Sequence, residues 1–133
     1  GKAGGAEPYE ELSLLLLDLR RGRRSPRAVG VEEGRRVAGE GPATASLERL
    51  QVEMTRRGFD PELRHEGPVV ELVAGRCGVQ AAAAADPDVV CEIHRGMIEG
   101  MLQGTGGKLE LRAAFRHEPS RGGCRFRIGP TPP

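Results

Sequence analysis

Four residues in the second half of the chain have the widest chemical reach: Cys77, Cys91, His94 and Cys124. Three thiols and one imidazole complete a tetrahedral donor set for zinc, and thiols of this number also suit an iron–sulfur cluster. Cys91 and His94 stand three residues apart, which on a helix places them on one face, able to share a metal. Cys124 alternates in phase with Phe126 and Ile128, the pattern of the buried face of a strand. A helix docked on that face brings Cys91 toward Cys124, and Cys77 must then arrive from the preceding loop, between Gly75 and Gly78. The same residues fit a simpler account. A free cysteine behaves as a small buried hydrophobe, and these spacings contain no paired C-x-x-C signature. At this level the chain is either a metal-dependent sensor or metal-stapled domain, or a small α+β module with three buried thiols.

Other features carry less. Cys91 with His94 or His117 could be drawn as nucleophile and base, but no local signature accompanies them. The P-loop, the dinucleotide fingerprint and the H-E-x-x-H pattern are all missing from the sequence, so a non-enzymatic role is expected. His65 and His117 sit in polar strand contexts and are expected on the surface. Arg20, Arg21, Arg23, Arg24 and Arg27 form a basic cluster without neighbouring aromatics and are soon offset by Glu32 and Glu33, which reads as a solvated corner between helices. Gly96 and Gly100 clear one face of the helix that carries Cys91. That opening serves either tight packing or a ligand pocket for a small apolar molecule lined by the thiols.

The elements that must position these residues follow from periodicity. Leu12, Leu15, Leu16 and Leu19 predict a helix from Tyr9 to Gly22; Leu14 and Leu17 widen its apolar face, so it is buried on two sides or packs on a partner. Ser25 caps a second helix opened by Pro26 and running to about Gly39. After a Gly41-Pro42 turn, a third helix spans Thr44 to Arg57 with Gly58 as its stop. Residues 62–66 and 69–73 form a hairpin about Gly67-Pro68, and a short helix fits the alanine run before Ala85. The clearest segment is a long helix over about 87–103, capped by Asp86 and Pro87, with Val90, Ile93, Met97 and Met101 as its stripe. Residues from Leu109 to Phe115 and from Cys124 to Ile128 make a second hairpin. The fold class is therefore α+β: N-terminal helices, two β-hairpins in one antiparallel sheet, and the long helix packed on it.

At 133 residues the chain suits one domain over 9–129, with a disordered lead-in at 1–8 and a flexible tail at 130–133. A net charge of +1 does not give the basic footprint of an independent nucleic-acid binder. The longest apolar run, Leu14 to Leu17, is far short of the roughly 20 residues of a membrane span. An odd cysteine count without a secretory signal points to a reducing, cytoplasmic setting.

The order Phe59-Asp60-Pro61-Glu62, VVEL, Cys77, DPDVVCEIHRGMIEGML and GGCRFRI resembles the C-terminal sensor half of bacterial helix-turn-helix regulators. These are of the ArsR/DeoR-like type, with the SufR-related iron–sulfur-biogenesis repressors among them. The resemblance covers roughly residues 9 to 129, and its most specific part is Cys91, His94, Gly96 and Gly100 on one helix. It implies a sensor and dimerisation domain in transcription control, holding a metal or iron–sulfur cluster through Cys77, Cys91 and Cys124 with His94. It further implies a homodimer with no membrane association, and contact with DNA only through an N-terminal helix-turn-helix domain outside this chain.

Overall fold

The computed structural model describes residues 7–39, 46–104 and 106–133. The elements run α1 (Glu7–Arg21), α2 (Pro26–Ala38), α3 (Ser46–Arg56), β1 (Pro61–Glu66), β2 (Val69–Ala74), α4 (Gln80–Ala85), α5 (Pro87–Gly104), β3 (Leu109–Phe115) and β4 (Cys124–Pro130). The strands form one antiparallel sheet in the order β1-β2-β4-β3, so the expected α+β architecture is present. Each hairpin contributes one inner strand, β2 and β4, and these pair with each other.

Alternation decides which sheet face meets the helices. Val70, Leu72 and Ala74 of β2 are buried, and they pair in register with Ile128, Phe126 and Cys124 of β4. The opposite face is polar: Glu71 receives an ion pair from Arg125 at 3.4 Å, and Arg125 also lies over the Phe115 ring at 4.8 Å. An antiparallel sheet with one wet face needs this division.

α5 starts where its cap predicts: the Val89 N–H donates to the Asp86 side chain at 3.2 Å, with Pro87 as first helical residue. Its nearest companion is α2, itself capped by Ser25, which accepts from the Ala28 N–H at 3.1 Å. The two helices run parallel and their backbones touch. A methyl group at Gly30 or Gly34 would overlap the carbonyl oxygen of Ile93 or Met97; one at Gly96 or Gly100 would overlap that of Arg27 or Val31. Contacts this close bring Cα–H groups against carbonyls along both helices. The seam is flanked by Arg27, which donates twice to Glu99 at 2.5 Å, and by Arg35, which donates to Gln103 at 2.5 and 2.9 Å.

Several boundaries differ from the sequence expectations. α1 begins at Glu7 rather than Tyr9, because Pro8 is tolerated in a first turn that needs no backbone N–H there. β4 continues to Pro130, and Thr131 donates from its N–H to Lys108 O at 2.9 Å and from its hydroxyl to Gly107 O at 2.7 Å. The start of the expected tail is therefore tied down. The Gly41-Pro42 turn, the start of α3 at Thr44 and most of the lead-in lie outside the described residues. Within the chain α1 is buried on one side only: Leu12 and Leu15 face inward, while Leu14 and Leu17 are exposed. None of the described helices is long and apolar enough to cross a membrane.

Candidate functional site

Cys77, Cys91 and Cys124 line one cleft between α5, α3 and the adjoining ends of β2 and β4. Each thiol comes from a different element: the β2–α4 connection, the second turn of α5, and the first residue of β4. Alternation along β4 turns Cys124 toward the helix, as expected, and the start of α5 lies across it. The cleft is narrow, with a cavity of about 80 Å³. Met54, Met97 and Met101 line it as well, so all three cysteines and all three methionines of the chain share this wall.

Close backbone stacking positions the Cys77 loop. The Gly75 N–H donates to Asp60 O at 2.9 Å and the Arg76 N–H to Phe59 O at 3.1 Å. Gly78 lies so near Arg57 that a methyl there would overlap the Arg57 carbonyl oxygen. On the other side Gly122, at φ +69°, presses on the Gly75 carbonyl, and the Gly123 N–H donates to Ala74 O at 2.6 Å. Only glycine fits both that approach and that backbone angle.

Each sulfur has a backbone N–H or a guanidinium near it. Cys77 accepts a hydrogen bond from the backbone of Val79, and the His117 N–H points at the Cys124 sulfur from 3.3 Å. The Arg116 guanidinium, anchored on Asp88 at 3.0 Å and Glu92 at 3.2 Å, lowers the electrostatic cost of charge on Cys91. Burial nevertheless pushes the Cys77 and Cys91 thiols above the ordinary range, and the neighbouring Cys124 sulfur adds to the rise of both. Both thiols are therefore protonated at neutral pH.

His94 lies on the same wall, with its ring edge-on to Phe59 at 4.8 Å between centroids. Burial, reinforced by the charge of Arg57, holds its pKa down to about 4 against a hydrogen bond to the Val90 backbone. The imidazole is neutral, the state a metal ligand requires. Arg57 is 3% exposed and meets three carboxylates: Glu53 at 2.5 Å, Glu33 at 3.2 Å and Glu11 at 3.8 Å.

All four residues singled out from sequence thus share one cleft. The structure does not gather them into a finished metal centre: among the described residues no three Cys, His, Asp or Glu side chains form a group able to hold a metal. Gly96 and Gly100 are placed differently from the ligand-pocket reading, since their open faces are filled by the α2 backbone and they lie outside the cleft wall. Arg116 and the N–H groups of Val79 and His117 had no signal in the sequence, because their roles depend on where distant loops are brought together. The donor chemistry fits a thiolate-bound group: three sulfurs, two with a backbone hydrogen bond and one beside a guanidinium, are the surroundings that stabilise metal-bound thiolates. Compared with known proteins, the chain matches no family model, no curated protein and no solved structure.

Proposed function

We propose that the chain is the effector-binding and dimerisation domain of a bacterial transcriptional regulator. Its effector would be an iron–sulfur cluster or zinc held by Cys77, Cys91 and Cys124 with His94. The single observation that carries this reading is the convergence of three thiols from three elements on one cleft, two with a backbone N–H near the sulfur and one beside a guanidinium. The role is binding, not catalysis: thiols whose pKa is raised by burial are the reverse of an activated nucleophile. It belongs in a reducing, cytoplasmic compartment, with DNA contacted through a separate helix-turn-helix domain.

In this reading the bound group supplies a charge and a cross-link that depend on redox state or metal supply. The chain's own part is to release protons from the thiols on binding and to draw the Cys77 loop onto α5. Losing the group frees that loop, and the repacking alters the arrangement of the helices. A second reading, a small apolar molecule in the same cleft, is favoured by the methionine and phenylalanine side chains in its wall and by the absence, among the described residues, of a preformed ligand group.

Protein purified without oxygen is expected to carry stoichiometric zinc, or iron with acid-labile sulfide. Cys91→Ser should lose it while keeping its helical circular dichroism. A metal-free wild type that retains an apolar molecule in native mass spectrometry would replace the first reading by the second.

A further inference from the structure

The fold leaves the outer face of α1 open. Leu14 and Leu17 stand 61% and 45% exposed, although their neighbours Leu12 and Leu15 are buried. Glu10 and Arg21, both exposed, lie on the same stripe: Glu10 four residues before Leu14, and Arg21 four residues after Leu17. The steps of four, three and four are those of a coiled-coil seam, so the four side chains form one line along the helix. Their order is carboxylate, leucine, leucine, guanidinium. Neither charged side chain is paired within the described residues.

We propose that this stripe is a self-association surface whose partner is α1 of a second copy, lying antiparallel. A two-fold axis midway between Leu14 and Leu17 sets each leucine on the other's counterpart and brings each Glu10 onto an Arg21 at both ends. A parallel pair would instead oppose Glu10 to Glu10 and Arg21 to Arg21. The stripe is self-complementary in only the antiparallel sense, as an isologous interface requires. Attraction of acids to helix N-termini and bases to C-termini accounts for the two signs. It does not account for their alignment with two exposed leucines. The surface is separate from the cleft, since none of these four residues lines it.

Sedimentation equilibrium of the full chain over a wide concentration range tests this. The wild type should show a monomer–dimer equilibrium, and Leu14→Ser with Leu17→Ser should be monomeric with unchanged helical circular dichroism. Glu10→Arg or Arg21→Glu alone should each weaken the dimer about tenfold, from lost attraction and new repulsion at both ends. Mixing these two variants should restore association, because each then meets the opposite charge at both ends. A wild type monomeric at every concentration overturns the proposal, as does a dimer indifferent to the leucine changes. Charge variants that fail to recover on mixing overturn the antiparallel register.

Discussion

Burial sets the protonation of the donors in opposite senses, pushing the Cys77 and Cys91 pKa values up and that of His94 down to about 4, so each is neutral at pH 7. For His94 this has a measurable sign. The unfolded chain takes up the histidine proton near its ordinary value of about 6.5, while the folded chain resists until about 4. The stability from a neutral His94 is therefore complete above about pH 6.5 and declines as pH falls toward 4, by up to about 3 kcal/mol. Urea unfolding of metal-free protein between about pH 7.5 and 5 should show part of this decline, and His94→Gln should flatten it. The lowered carboxyls of Glu33 and Glu53 act below that range: burial raises them, but hydrogen bonds from their arginine partners outweigh it, so their contribution is lost only as pH falls below about 4.5. At this scale much was legible. Cys124 alternates with Phe126 and Ile128, and three-residue spacing joins Cys91 to His94. The backbone donors to Cys77 and Cys124 were not legible, because they belong to loops rather than to any periodic pattern.

Among the elements, the α2–α5 pair is the most demanding contact. A methyl at Gly100 would overlap the Val31 carbonyl oxygen, and one at Gly34 would overlap that of Met97; neither obstacle is a flexible side chain. Gly100→Ala and Gly34→Ala should each force the helices apart and cost about 3 kcal/mol in chemical denaturation. Gly22→Ala meets nothing closer than 3.4 Å and should stay within about 0.5 kcal/mol of wild type. Equal stability of all three variants would contradict the backbone-contact account. The Gly96-x-x-x-Gly100 pattern could be read from sequence, and tight packing was one of its two readings there, but the helix it packs on could not be named. The matching Gly30-x-x-x-Gly34 lies in a helix with five charged residues, and only the tertiary contact identifies the two as partners. Helix ends were read well where a cap acts locally, as at Ser25 and Asp86. β4 was read short because backbone pairing continues past its last apolar side chain.

Over the whole molecule, one buried guanidinium joins the cleft to the helical layer. Arg57 lines the cleft and pairs with Glu11 of α1, Glu33 of α2 and Glu53 of α3, so removing it would leave these carboxylates to the more exposed Arg36 and Arg56 alone. The helix bearing the outer leucine stripe is thereby held by the same residue that backs His94. The α+β class followed from the order of periodic segments, whereas the β1-β2-β4-β3 order did not, because the β2–β4 pairing spans the whole α4–α5 crossover. In the proposed role, three thiols distant in sequence act as one site. The direct measurement is alkylation of each cysteine, followed by mass spectrometry, on protein purified without oxygen, with and without a chelator. Cys77, Cys91 and Cys124 should be protected together and become reactive together when the chelator removes the bound group. Three independent rates that the chelator leaves unchanged would contradict the account.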